Sequence, residues 1–146
     1  MAITKISDLG LPSGTVLQVV TSSTNTQQTT TSSTFVDATG LSVSITPSST
    51  SNKIFVICTT AGASGNSVAT SDYTLLRGAT NLATNLFNRI FGTDSTGQIS
   101  MAILDSPNTT SATTYKAQFR RSSASGTAYI QDANSFGQIT AFEIKG

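Results

Sequence analysis

The fold class is decided by the stretch LSVSITPSSTSNKIFVICTT, Leu41 to Thr60. In its first part Leu41, Val43 and Ile45 alternate with hydroxyl side chains, a pattern typical of a strand with one buried and one wet face. The segment PSSTSN that follows predicts a turn. KIFVICTT, Lys53 to Thr60, is apolar on both faces. It therefore predicts a central strand that is covered by a facing sheet on one side and by more protein on the other.

The rest of the chain repeats this strand signal. No segment longer than about ten residues follows the helical period, although ATNLATNLFNRIFG could form a short helix. AGASGNS is typical of a turn, and DYTLLRGATNLA of a hairpin that reverses at Gly78. We therefore predict an all-β chain, an antiparallel β-sandwich or jelly roll of roughly 8–10 short strands. The further strands are predicted in GTVLQVV, GQISMAILD, SATTYKAQFRRSS, GTAYIQD and QITAFEIKG.

The run TSSTNTQQTTTSSTF, Thr21 to Phe35, has no hydrophobic side chain before its final residue. Strong strands flank this run, and Thr itself has good strand propensity. We predict that it is an ordered excursion on the surface of one domain, with a flexible loop as the alternative. The chain is then divided into an N-terminal arm, 1–13, and a single β-sandwich domain, 14–146.

The composition limits the possible partners. Charged residues make up 10% of the chain and the net charge is +1, while Ser and Thr supply roughly a third of all residues. Charges so few and scattered predict neither nucleic acid nor a membrane as a partner, and they do little to keep copies apart. No apolar run is long enough to span a bilayer and no secretory signal is present, which predicts synthesis in the cytoplasm without a signal peptide.

The reactive side chains predict a protein that is not an enzyme. The chain has no His, which excludes the common general base and imidazole metal ligands, and its one cysteine, Cys58, lies in an apolar run typical of the core. Among the seven acidic residues, Asp94 and Asp105 could meet as a glycosidase pair, but solvated turn residues are the preferred interpretation. No catalytic residue, cofactor or metal site is therefore predicted.

Several segments resemble, in order, small β-rich virion proteins and tail-fibre head domains of tailed bacteriophages. They are GLPSGTVLQVV, TFVDATGLSVSITPSSTSNKIFV, YTLLRGATNLA, LDSPNTTSATTYKAQF and ITAFEIKG. The resemblance implies a compact jelly roll that forms a homotrimer and belongs to the virion, on the capsid exterior or the tail. It implies one of two roles: a capsid decoration (cement) protein that binds the major capsid protein or another virion protein and stabilises the shell, or a tail-fibre head that attaches to host surface glycans or proteins.

Two sets of residues are candidates for contacts with other chains. Ile3, Ile6, Leu9 and Leu11 give the N-terminal arm an apolar character, so they could anchor it in the shell or a neighbouring subunit, or fold back onto their own domain. The resemblance begins about a dozen residues after Met1, which favours a separate decoration protein over the head of a longer fibre. For self-association the candidates are the following apolar strand residues: Phe55, Ile57, Phe142 and Ile144.

Overall fold

The computed structural model describes residues 10–65, 70–83, 87–92, 94–131 and 135–146. These residues form no helix, and therefore none that could cross a membrane. They form eleven strands: β1 (Val16–Thr24), β2 (Gln28–Thr30), β3 (Val36–Ile45), β4 (Lys53–Gly65), β5 (Thr70–Arg77), β6 (Thr80–Asn81), β7 (Asn88–Phe91), β8 (Ser95–Asp105), β9 (Thr113–Arg121), β10 (Thr127–Ile130) and β11 (Gly137–Ile144).

Strands from the earlier part of the chain pair with strands from the later part, in nested antiparallel pairs. The first and last strands pair, β1 with β11, and further in β3 pairs with β9, β4 with β8 and β5 with β7, all antiparallel. The result is a first sheet in the order β1-β11-β4-β8 and a second sheet in the order β3-β9-β5-β7. Two antiparallel sheets packed in this way are the predicted β-sandwich with jelly-roll topology. The count exceeds the prediction only through β2 and β6, which have three and two residues.

The core lies between the two sheets and follows the predicted alternation. Leu41, Val43 and Ile45 are all at most 4% exposed. On the strand beside them, Tyr115 and Phe119 also point inward. Alternation in these two strands therefore sets which face of the second sheet meets the core.

Strand β4 is central, as predicted, because β8 pairs with one of its edges while β11 and β10 share the other. The predicted turn AGASGNS is wrong over Ala61–Gly65, where β4 continues. Small residues are needed there for packing: a Cβ atom added to Gly62 would lie 2.5 Å from the Tyr73 hydroxyl oxygen. Gly62 thus marks a close approach between the two sheets, which the sequence alone did not distinguish from a turn.

The hairpin after β5 has the predicted reversal, with Gly78 at a φ of +57°. The short helix considered for ATNLATNLFNRIFG is absent from the described part of this segment, which holds all of β6 and all of β7. Asn81 begins the return by accepting a 2.7 Å hydrogen bond from Thr74. Local hydrogen bonding by Asn thus favours the turn over the helix.

The run from Thr21 to Phe35 is ordered on the surface of the domain, as predicted. Thr21 to Thr24 extend β1, and β2 pairs with β10 as an added strand. The Gln28 side chain joins the run to β3 through two hydrogen bonds with the Thr39 backbone. Gln28 Nε2 donates to the Thr39 carbonyl at 2.8 Å, and Gln28 Oε1 accepts from the Thr39 amide at 2.7 Å. The boundary between arm and domain stays a prediction, because residues 1–9 lie outside the described residues.

One buried carboxylate ties three parts of the chain together at the end of the sandwich. Glu143 on β11 is fully buried and accepts hydrogen bonds from the Ser48 amide at 2.5 Å, the Ser48 hydroxyl at 2.6 Å, Asn52 Nδ2 at 2.7 Å and Gln18 Nε2 at 3.1 Å. Burial alone would raise its pKa, but the hydrogen bonds from Ser48, Asn52 and Gln18 outweigh it and hold the pKa below the ordinary value of 4.5.

The Glu143→Gln variant should lose about 2 kcal/mol of stability at pH 7, because an amide cannot accept all four donors. A lowered pKa in the folded state contributes stability above pH 4.5, and this contribution is lost as the pH falls below 4.5 through the folded-state pKa. Thermal unfolding from pH 7 to pH 3 should therefore show the two proteins converging in acid.

Asp37→Asn is the matched control for this experiment, since its carboxylate is 56% exposed and pairs with Lys116 on the surface. It should change stability by no more than about 1 kcal/mol. A Glu143→Gln protein as stable as the parent at pH 7 would show that the buried carboxylate does not hold this end of the sandwich.

Candidate functional site

The outward face of the first sheet carries a patch of apolar side chains. Register places Val19, Phe142, Phe55 and Leu104 side by side in one row across β1, β11, β4 and β8. The next row on the same face holds Thr21, Thr140, Ile57 and Ala102, and the row on the other side holds Val16 and Ile144, with Lys53 beside Ile144 at its end. We call these three rows the apolar face.

The four residues predicted for self-association all lie on this face, which brings them together from two strands. Phe55 and Phe142 are in contact, with ring centroids 6.0 Å apart, and both are half-buried, as are Ile57 and Ile144. Their part in self-association stays a prediction. Their position means that one partner surface centred on Phe55 and Phe142 could contact all four.

The apolar face extends to both edges of the sheet. Leu104 on β8 is 53% exposed and Val16 on β1 is 41% exposed. Neither was singled out from the sequence, although strict alternation in SMAILD directs Met101 inward and therefore Leu104 outward. With four strands about 4.8 Å apart and about five residues along each, the patch covers on the order of 300 Å². Apolar patches of this size on a single chain are often interaction sites.

The buried Glu143 sets the direction of the two outward residues beside it. Side chains alternate along a strand, so a buried side chain at 143 requires that Phe142 and Ile144 face outward. The inward neighbour is Ala141, which is fully buried. Strand β11 thus places a small residue and a carboxylate inside and two large apolar residues outside. A hydrophobicity pattern alone would predict the reverse.

The rest of this outward face is uncharged. Among the described residues that point outward from the first sheet, Lys53 lies at one end and Asp94 at the turn leading into the other, with only apolar, hydroxyl and amide side chains between them. A partner could therefore cover the part of the face between these two residues without removing water from a charge, which is the costly part of forming an interface.

The outward face of the second sheet is charged. Asp72 is fully buried there because two arginines cover it: Arg89 Nε donates at 2.5 Å and Arg120 Nη2 at 3.0 Å. Burial acts to raise the pKa of Asp72, but these hydrogen bonds outweigh it, so the pKa is lowered. Arg120 also lies over the ring of Phe35, with 4.5 Å from its guanidinium carbon to the centroid. Arg120 is therefore part of an ion network on this sheet.

The possible glycosidase pair does not form. Asp94 precedes β8 and Asp105 ends it, so eleven residue steps separate them, about 36 Å along the strand. Paired catalytic carboxylates lie within about 10 Å of each other. Asp94 is exposed in a turn, as predicted, whereas Asp105 is nearly buried and accepts hydrogen bonds from Arg77 at 2.8 Å and from the Tyr115 hydroxyl at 2.6 Å.

Cys58 is buried on the inward side of β4, as predicted, and burial raises its pKa to about 12. A thiol with such a pKa is not a nucleophile at neutral pH. Within the described ranges, no group of three or more His, Cys, Asp and Glu side chains could hold a metal ion.

Of the candidate anchor residues, Ile3, Ile6 and Leu9 lie outside the described residues. Leu11 is half-buried, and its carbonyl accepts a 2.6 Å hydrogen bond from Lys145 Nζ. The Gly14 amide donates to the Lys145 carbonyl at 2.8 Å, so the arm leaves the domain beside Ile144. The described part of the arm therefore begins at the margin of the apolar face.

Comparison with protein-family models gives no match, and neither does comparison with curated proteins. Among solved structures, the fold is similar to that of a chain of the T13 IBDV viral particle, at 11% identity and a TM-score of 0.49 over 96% of this chain and 42% of that one. A chain of infectious bursal disease virus strain Gx is similar at 11% identity and a TM-score of 0.45, over 96% of this chain and 44% of that one. The chain thus spans less than half the length of either, and similarity at this level carries no conclusion about activity or partners.

Proposed function

We propose that this protein is a non-enzymatic structural protein of a virion, and that it is a capsid decoration protein which binds the outside of a phage head as a homotrimer. The observation that carries the proposal is the apolar face: large side chains point outward from a sheet face that has no charge between its two ends. The resemblance of the sequence to small phage virion proteins supports the same conclusion.

Self-association through the apolar face explains why Phe55, Ile57, Phe142 and Ile144 are half-exposed in the single chain. A stable interface buries about 800 Å² on each partner, with a dry apolar centre and a polar rim. The patch of about 300 Å² is the right size for such a centre. The Ser, Thr and Gln side chains farther along the same sheet supply a rim that can hydrogen-bond without carrying charge.

A cement protein stabilises a shell because it binds the assembled lattice and not the free subunits. At a ligand concentration a hundred times Kd, this preference is worth about 2.7 kcal/mol for each site. Three sites on one trimer bind together, so the avidity exceeds the affinity of one site. The apolar arm residues Ile3, Ile6, Leu9 and Leu11 serve as the anchor in this proposal, since the arm leaves each domain beside the face that holds the trimer together.

A tail-fibre head that attaches to a host surface is the second candidate, and one observation favours it. Phe91 and Phe136 are 67% and 64% exposed, and both lie at the end of the sandwich opposite Leu11 and the C-terminus. If the arm is fixed to a particle, this end points away from it. Exposed aromatic side chains at a free end are typical of binding hot spots.

The location of the protein in the virion separates the two candidates. In imaged or antibody-labelled particles, a decoration protein should be found in many copies over the head. Adding purified protein to particles that lack it should raise the temperature at which the heads release their DNA. Labelling confined to the tail, with saturable binding of the isolated protein to host cells, would instead establish the tail-fibre role.

The trimer can be tested with a charge on the apolar face. Leu104→Lys should leave the fold intact, since its side chain is already 53% exposed, and should weaken assembly at least tenfold, because the ammonium would be buried in an apolar contact. Native mass spectrometry and sedimentation should show trimers for the parent and mostly monomers for the variant.

Phe136→Lys is the matched control, because Phe136 has a similar exposure at the opposite end. It should assemble like the parent. A parent protein that is monomeric at high micromolar concentration, or a Leu104→Lys variant that assembles as well as the parent, would contradict the proposed interface.

A further inference from the structure

A cleft of about 180 Å³ opens on the outward face of the first sheet, beyond the apolar face. Register places Thr29, Tyr129, Ala63 and Thr96 in one row across β2, β10, β4 and β8. Tyr129 and Thr96 form opposite sides of the cleft, and Ala63, Ser64 and Gly65 line it between them. The cleft is therefore built largely on paired strands, which hold its sides at a fixed separation.

The Tyr129 ring lies against the strand because the neighbouring position has no side chain. A Cβ atom added to Gly65 would lie 2.8 Å from ring carbon Cε2 and 3.0 Å from the ring hydroxyl. The backbone beneath the ring is also fixed, since the Tyr73 hydroxyl donates to the Tyr129 carbonyl at 2.7 Å. The part of the ring that carries Cε2 and the hydroxyl thus lies close to Gly65 of β4, while the half-exposed ring also borders the cleft.

The remaining lining is polar, and it includes an anion but no cation. Gln27, Asp94 and Thr96 contribute an amide, a carboxylate and a hydroxyl, and all three are exposed. The described lining contains no Lys or Arg, so a phosphate, sulfate or carboxylate ligand would lie beside the Asp94 carboxylate and no described lining residue would bring a positive charge to it. Carboxylate and amide oxygens accept hydrogen bonds from hydroxyl groups, and amide and hydroxyl groups donate to them.

We propose that this cleft binds one ring of a neutral saccharide. A pyranose has a C–H face that packs on an aromatic ring and a rim of hydroxyl groups that needs several donors and acceptors, and the cleft offers both at once. The volume is below the 300 Å³ or more of sites for drug-sized ligands, which suits a single ring. Acidic sugars are disfavoured because Asp94 would repel their carboxylate.

The inference does not depend on capsid decoration or on the trimer. Thr59, Ser100 and Gln138 separate the cleft from the apolar face, so a partner centred on Phe55 and Phe142 does not have to cover Tyr129. A saccharide site would serve either role, as a contact to glycan on a host surface or on a neighbouring virion protein. Saccharide binding and assembly are therefore measured separately.

The test is an NMR titration of the full chain with neutral and acidic monosaccharides: glucose, galactose, mannose and N-acetylglucosamine against glucuronate and N-acetylneuraminate. At least one neutral sugar should shift the amide signals of Ala63, Gly65 and Thr96, with a Kd on the order of a few millimolar for a ligand of about twelve heavy atoms. The acidic sugars should bind at least tenfold more weakly.

Three variants assign the effect to the cleft. Tyr129→Ala should weaken binding at least tenfold, whereas Tyr129→Phe, which keeps the ring, should stay within about threefold of the parent. Gly65→Ala should also weaken binding, because the new methyl group displaces the ring. The trimer content of Tyr129→Ala should equal that of the parent, which keeps this test independent of the assembly experiment.

The proposal is overturned by any of three results. The first is the absence of amide shifts with every neutral sugar up to about 50 mM, a concentration well above the expected Kd. The second is equal binding of neutral and acidic sugars, and the third is unchanged binding by Tyr129→Ala.

Discussion

The four hydrogen bonds received by Glu143 are the constraint on which the rest of the surface depends. They come from a backbone amide and from Ser, Asn and Gln side chains, and no Lys or Arg of the described residues pairs with this buried carboxylate. Because the donors come from β1 and from the turn between β3 and β4, they fix the end of β11 against both. Because side chains alternate along a strand and Glu143 points inward, its neighbours Phe142 and Ile144 must face outward.

This arrangement lowers the folding stability of an isolated chain, because large apolar side chains stay partly in water. Burying a Phe side chain completely is worth about 1.5–3 kcal/mol, and Phe55 and Phe142 realise only part of that while half-exposed. A chain selected only for its own stability would place these rings in the core and a smaller or polar residue outside. The remaining hydrophobic free energy is gained only if another surface covers the rings. Partner binding therefore gives a physical reason for the pattern of β11, and it explains why Leu104 extends the row to the edge of the sheet.

Much of the fold was predictable because most strands obey one rule. Alternation in LSVSITP and TTYKAQFRR assigned the inward faces correctly, and the uniformly apolar KIFVIC identified the central strand. The failures have a common cause, which is that chain position does not show what a residue meets across the sandwich. Gly62 lies in a segment predicted as a turn, but a side chain there would collide with the Tyr73 hydroxyl from the facing sheet. Glu143 had no signal in the sequence, since its donors lie more than 90 residues away along the chain.

The outward faces of the two sheets differ in charge. The second sheet carries Asp37, Lys116, Asp72, Arg89 and Arg120 on its outward face, paired so that their charges largely cancel. An exposed pair such as Asp37–Lys116 adds little stability, about 0–1 kcal/mol, but it keeps the surface hydrated. The first sheet has no such groups between Lys53 and Asp94, so water there is held only by hydroxyl and amide groups and is displaced at low cost. One face of the sandwich thus holds its water through charged groups, whereas the other can lose its water at a lower cost. A protein of this design also has little net charge to repel its copies, so a close array on a lattice would carry almost no electrostatic penalty.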